Sequence, residues 1–188
     1  MELHELELFK RQGSGQAVFM ISRFQHEDGL VPAVFQALAW EAEVFWYKMQ
    51  SCSPLDWNVL AQGVAGCAKH YKLPQISLIS FDGLVDLLLE ISLFDHKLLR
   101  RAAVIEPEAA CTKSLLHRIR CPVLIITTSQ SSEAQETEAQ FLAQAVPTAW
   151  HVMATGDEQQ ASDCMLDALR RFLKVPAKCP QRRRMLNA

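Results

Sequence analysis

The stretch Leu78-Ile79-Ser80-Phe81-Asp82-Gly83-Leu84-Val85-Asp86-Leu87-Leu88-Leu89-Glu90 decides how this chain folds. An apolar run of β character, 75–79, stops at Ser80-Phe81-Asp82-Gly83, and a run of helical character, 83–93, begins at once. Strand passes to helix with almost no loop, and an aspartate sits at the apex. A strand that feeds directly into a helix opens a crossover between parallel strands, so the rest of the chain should alternate in the same way.

It does. Strands are expected over 5–10, 17–22, 43–47, 75–79, 102–105, 122–127 and 149–154. Ala17-Val18-Phe19-Met20-Ile21 and Val123-Leu124-Ile125-Ile126 are continuous apolar runs, the pattern of strands covered on both faces. Helices are expected over 31–40, 55–71, 83–93, 133–145 and 157–173. Pro32 suits a first helical turn. Asp56 is expected in the first turn of the second helix, where the dipole favours it. Ser131 or Ser132 can cap the fourth helix, and Arg170, Arg171 and Lys174 suit the end of the fifth. The expected fold class is therefore α/β: a mostly parallel central sheet of about seven strands with helices on both faces. One domain over 1–175 accounts for the length. Residues 176–188 have no apolar periodicity and read as a basic, mobile tail.

Composition narrows the class further. The chain is 49% hydrophobic and 21% charged, as globular proteins are, and no apolar run is long enough to cross a bilayer. The stretch Met1-Glu2-Leu3-His4-Glu5-Leu6-Glu7 is acidic where a signal peptide is basic and then apolar, which predicts a cytoplasmic protein. The six cysteines form no Cys-x-x-Cys pair, so reduced thiols are expected rather than a disulfide frame, and no metal or cofactor. Net charge is −2, but seven of the 19 bases follow residue 167 with no acid among them. The preceding body is left at −9, which disfavours nucleic acid. The tail is either a docking element for an acidic surface or a solvated end.

Four local patterns, in order, resemble the α/β-hydrolase fold family. Gln75-Ile76-Ser77-Leu78-Ile79-Ser80-Phe81-Asp82-Gly83 resembles its strand and nucleophile elbow. Arg120-Cys121-Pro122-Val123-Leu124-Ile125-Ile126 resembles the strand before the acid loop, and Trp150-His151-Val152-Met153-Ala154-Thr155-Gly156-Asp157 the last strand and histidine loop. Met165-Leu166-Asp167-Ala168-Leu169-Arg170-Arg171-Phe172-Leu173 resembles the closing helix. The resemblance covers residues 5 to 174 and explains the opening stretch. The elbow projects one side chain from the top of the sheet on a backbone with positive φ, where a short polar residue such as Asp82 is tolerated and Gly83 relieves the helix start. Asp82 takes the place of the usual serine, as in haloalkane dehalogenases and epoxide hydrolases.

The resemblance also implies partners for that nucleophile. The histidine position reads Gly156-Asp157, so Asp157 replaces the base. His151 is the nearest histidine, but it lies inside a strand and is expected to pack against the sheet rather than act as a base. The loop 127–132 carries no carboxylate, which leaves Glu106 as the alternative acid. The oxyanion loop, usually His-Gly, reads Ser22-Arg23-Phe24; these residues and Gly83 are the candidate ligand contacts. Leu84 is bulky where a small residue is usual. Ser80 is read as the small residue before the elbow, and Cys67 with His70 as packing or solvent-facing groups rather than a nucleophile–base pair. Only 106–121 stand where relatives insert a lid.

The expectation is thus a non-catalytic α/β-hydrolase-like protein, a pseudoenzyme that acts by binding. The alternatives are a divergent acyl hydrolase or thioesterase, or an aspartate-nucleophile hydrolase using Asp82. Phe24, Phe81, Phe94 and Trp57 are candidates for an apolar patch exposed at the sheet top, so a protein partner or homo-oligomer is expected, with a small acyl-type ligand as the other candidate.

Overall fold

Seven strands pair into one sheet in the order β1-β3-β2-β4-β5-β6-β7 in the computed structural model of the chain, which describes residues 6–23, 29–49, 56–81, 84–108 and 113–174. The strands are β1 (Leu6–Gln12), β2 (Ala17–Arg23), β3 (Glu43–Met49), β4 (Ile76–Ser80), β5 (Leu99–Ile105), β6 (Val123–Thr128) and β7 (Ala149–Ala154). β1 runs antiparallel to β3 and all other pairs are parallel. β4, the strand of the opening stretch, is the middle one.

The apolar strands are two-sided, and alternate residues feed two cores. Phe19 and Ile21 of β2 join one cluster, Val18 and Met20 the other. The first cluster is covered by α2 (Trp57–His70), α3 (Val85–Phe94), α4 (Glu133–Ala145) and a short 3-10 helix, Lys113–Arg118. The second is covered by α1 (Leu30–Leu38) and α5 (Glu158–Lys174). Each fully buried aliphatic side chain contributes about 1.5–3 kcal/mol to this arrangement.

Local chemistry sets the boundaries. Asp56 stands one residue outside α2 rather than in its first turn: its carboxylate accepts from the Asn58 and Val59 N–H groups, which satisfies donors that the helix leaves open. Ser132 caps α4 in a reciprocal box with Gln135. Gly13 turns between β1 and β2 at φ 92°, where a Cβ would lie 2.0 Å from the Ala42 carbonyl oxygen. β5 begins three residues before the sequence pattern suggests. Leu99-Arg100-Arg101 reads as polar, yet the Arg101 guanidinium is buried and donates to the Phe172 and Leu173 carbonyls at 2.8 and 2.5 Å. It thereby ties down the open carbonyl end of α5. Burial, and secondarily Arg100, pull its pKa below the usual value.

Of the expected surface aromatics, Phe81 packs inside and Trp57 is half-buried. Phe81 is buried in the second cluster, because the chain leaving β4 dips beneath α1 and α5. Trp57 packs against the first cluster. Phe94 is exposed, but it ends α3, a helix that has descended to the opposite edge of the sheet. Phe24 lies outside the described residues. Between Ile105 and Val123 the described residues hold only the 3-10 helix, and none of the described residues forms a lid domain over the strand ends. No helix among the described residues is long and apolar enough to cross a membrane.

Candidate functional site

Ligands of open, mostly parallel sheets bind outside the carboxyl ends of the strands. The site is therefore built from the residues that leave β2, β4, β5, β6 and β7.

At the middle, β4 ends at Ser80 and α3 starts at Val85, so the connection spans 81–84. Ser80 is fully buried, and its hydroxyl donates to the Ala103 carbonyl at 3.4 Å, so it presents no nucleophile to solvent. The Phe81 N–H donates to the Ile21 carbonyl at 3.1 Å and ties the turn to β2. Leu84 is buried in the first cluster at the start of α3. Asp82 and Gly83 lie outside the described residues.

At β2, Ser22 is fully buried and its hydroxyl accepts from Trp46 Nε1 at 2.8 Å. Arg23 pairs with Glu108 at 2.8 Å. That ion pair runs from the end of β2 to the residues after β5, across the end of β4 between them. Both side chains are about half exposed (46% and 52%), so the pair contributes at most about 1 kcal/mol.

The β5 and β6 exits form a second arrangement. Glu106 follows β5 with φ 53°, a left-handed conformation uncommon for residues with a side chain. Its carboxylate accepts from Thr128 Oγ1 at 2.8 Å and from the Ser131 hydroxyl. The Ser131 oxygen also accepts from the Thr128 N–H at 2.8 Å, so the loop after β6 is organised around that carboxylate. Sequence singles out Ser131 only as a candidate helix cap, and Thr128 not at all. The loop 127–132 looked empty of acid, and its hydroxyls gain meaning only once β6 is known to neighbour β5.

At β7, Asp157 Oδ1 accepts from the Gln160 N–H at 2.8 Å, and Gln160 Oε1 accepts from the Asp157 N–H at 3.2 Å. This is a reciprocal helix cap. Gly156 makes the entry at φ 116°, where a Cβ would lie 2.5 Å from Gln160 Oε1.

Glu106 and Asp157 share a cleft of about 800 Å³ between α1, α5 and the ends of β5 and β6. Leu30, Ala33, Met165 and Leu166 provide its apolar walls, and Asp163 adds a third carboxylate. No basic side chain is among the described residues that line it. His151 lies elsewhere: its Nε2 is 2.8 Å from Thr127 Oγ1 on the face covered by α4. Burial lowers its pKa, and Glu136 partly opposes that. His70, His96 and His117 do not line the cleft either; His4 and His26 lie outside the described residues. Cys121 is buried and its thiol is pushed up to about 12, so it stays protonated and inert. Cys67 is likewise raised by burial and lies against the Tyr47 hydroxyl, while the His70 ring packs edge-on against Tyr71. Among the described residues no group of three or more His, Cys, Asp or Glu is arranged to hold a metal ion.

Solved structures superpose over most of the chain. An esterase from Thermogutta terrifontis superposes with a TM-score of 0.70 at 12% identity, covering 90% of this chain and 93% of its own. Carboxylesterase CesB from Bacillus subtilis gives 0.72 at 11%, covering 87% and 86%. The enol-lactonase from Burkholderia xenovorans gives 0.69 at 13%, covering 90% and 96%.

The chain has the α/β-hydrolase fold. No protein-family model and no curated protein sequence matches it. At these identities the likeness extends to the scaffold, and what the strand ends do has to be argued from the residues that occupy them.

Proposed function

We propose that the protein is a non-catalytic α/β-hydrolase-fold protein that acts by binding, and that the cleft beside Glu106 takes an uncharged or cationic small molecule with an apolar body. The observation that carries this reading is Asp157. A nucleophile in this fold needs a base held by an acid. The base position carries a carboxylate committed to the N-terminus of α5. The cleft supports the ligand class. Its walls are apolar, and Glu106, Asp157 and Asp163 repel anions and accept hydrogen bonds from amines or hydroxyls.

Glu106 itself supports a second reading, a divergent acyl hydrolase or thioesterase, or an aspartate-nucleophile hydrolase using Asp82. A carboxylate held by two hydroxyls at a strand end is what an acid that orients a base requires.

The test of binding is a protein-observed NMR screen of alkylamines, neutral alkyl esters and matched alkyl carboxylates against wild type and Glu106→Gln. The expected result is amine and ester binding that shifts the amides of Gly29, Ser129 and Ser162, absent for carboxylates, with the amine signal weakened at least tenfold in Glu106→Gln. Equal binding of carboxylates, or shifts confined to other surfaces, overturns the ligand assignment.

A further inference from the structure

Charge is divided between the two ends of the parallel strands. Around their carboxyl ends stand Glu106, Asp157 and Asp163 of the cleft, with Glu133 and Glu136 in the first turn of α4. The opposite rim, where the chain enters β4, β5 and β6, is basic. Lys69 and Lys72 precede β4, Lys97 precedes β5, and Arg118 and Arg120 precede β6. All are exposed, and none is in an ion pair with a described residue. The entry segments adjoin one another: Gln75 Nε2 donates to the Lys97 carbonyl at 3.1 Å, and the Ala102 N–H to the Pro122 carbonyl at 2.9 Å. The acids of this rim are engaged within the chain. Glu41 faces Arg170 at 3.8 Å, Glu43 pairs with Arg11, and Asp95 accepts from the Lys97 N–H at 3.0 Å. A base in the last turn of a helix, such as Lys69, is explained by the dipole; Lys72, Lys97 and Arg120 lie beyond helix ends.

The same rim holds large apolar side chains in water. Trp40, in the turn between α1 and β3, is 87% exposed. Phe94, the last residue of α3, is 53% exposed, with Leu93 exposed beside it. The chain also leaves from here, because α5 ends over the start of β5, where Arg101 holds the Phe172 and Leu173 carbonyls. The sequence after Lys174 carries Lys178, Arg182, Arg183 and Arg184 and no acid.

We infer that this rim docks on an anionic lipid surface, with Trp40 and Phe94 at headgroup depth and the cations of the entry segments against the headgroup anions. Contact of this kind needs no apolar span. Cations alone suit any polyanion, but an indole and a benzyl group set among them suit an interface with apolar depth. The layout also favours a plane over a line. Trp40 follows α1 on one face of the sheet, while Lys69, Phe94 and Arg118 end α2, α3 and the 3-10 helix on the other. A bilayer meets both sides of the sheet at once, whereas a nucleic-acid strand or an acidic peptide follows one track. The acids of the molecule do not oppose docking. β5 has seven residues, so the cleft carboxylates stand about 20 Å from the rim, beyond the screening length of about 8 Å at physiological salt. They orient the molecule instead, with the cleft turned to water. The inference does not depend on what the cleft binds, so the two fail separately.

The experiment is co-sedimentation of the full chain with vesicles of phosphatidylcholine, alone or mixed with phosphatidylserine. Wild type is expected to bind only the mixed vesicles, and high salt to weaken binding at least tenfold. Arg118→Glu/Arg120→Glu and Trp40→Ser/Phe94→Ser should each weaken it at least tenfold with an unchanged far-UV spectrum. Val59→Ser, at an exposed position in the first turn of α2, should leave it unchanged. In wild type, brominated acyl chains in the mixed vesicles should quench tryptophan fluorescence, a readout that needs no variant. Failure to bind the mixed vesicles, equal binding to phosphatidylcholine alone, or no quenching overturns the inference. So does binding that survives the rim substitutions but is lost when 178–188 are deleted, which would place it in the tail. Tighter binding to polyuridylate or polyglutamate than to the mixed vesicles also overturns it, in favour of a nucleic-acid or an acidic-protein surface.

Discussion

Glu106 and Asp157 face the same cleft from the ends of β5 and β7, on either side of β6, and they are held in opposite ways. Asp157 does what any good helix cap does: it stands just before α5, and its carboxylate satisfies the Gln160 N–H. Glu106 sits in a backbone conformation that costs about 1 kcal/mol or more for a residue with a Cβ, and its carboxylate is gripped by a loop arranged to grip it. A fold that needed only stability at that turn is better served by glycine. The difference separates a carboxylate kept by the scaffold from one kept at the scaffold's expense, and strain of that kind clusters at functional sites.

Substitutions can break this contrast. The largest effect is expected away from the cleft, at Arg101→Met. It leaves the Phe172 and Leu173 carbonyls without their buried donor and should cost about 2–3 kcal/mol in urea unfolding. Ligand binding by the folded fraction should stay unchanged, since the lost anchor is at the far end of α5 from the cleft. Asp157→Ala removes the cap at the near end and should cost about 1 kcal/mol by the same measurement. Glu106→Gly is expected to change stability by less than about 1 kcal/mol, because relief of the positive φ offsets the lost hydrogen bonds, yet to abolish amine binding. If Glu106→Gly destabilises more than Asp157→Ala, the contrast is reversed and Glu106 is the structural residue.

The smallest effect concerns pH. Burial depresses the pKa of His151 in the folded state, so below the ordinary value of about 6.5 the unfolded chain binds the proton first. Stability contributed by the neutral ring is present above that pH and is lost as pH falls through the folded pKa. His151→Gln, which keeps a polar partner for Thr127, should flatten the loss between pH 7 and pH 5. An unchanged slope on acidification means that His151 is not the group responsible.

Much of the fold was legible because apolar runs and turn chemistry are local. β2, β3, β4, β6 and β7 fell within one or two residues of their places, and α4 was bounded by Ser132 and the end of its periodicity. β5 reads too short in the sequence because a buried arginine looks exposed until the helix end it serves is known. The site was less legible for the same reason. Asp157 could be read as the absence of a histidine, but its work as a cap depends on where α5 starts. Thr128 and Ser131 acquire a role only through the pairing of β5 with β6, which no local pattern states. Phe81 looked like a surface aromatic because nothing in its neighbours reveals that α1 and α5 close over it.

The central claim, that the scaffold binds without turning over, is tested most directly by a turnover screen with p-nitrophenyl esters, acyl-thioesters, lactones and haloalkanes. It compares purified wild type with Asp82→Ala, at enzyme concentrations high enough to detect rates tenfold above buffer. Binding without catalysis predicts that both proteins stay at the buffer rate for every substrate. A rate above buffer in wild type that Asp82→Ala abolishes would contradict it and make Asp82 a nucleophile.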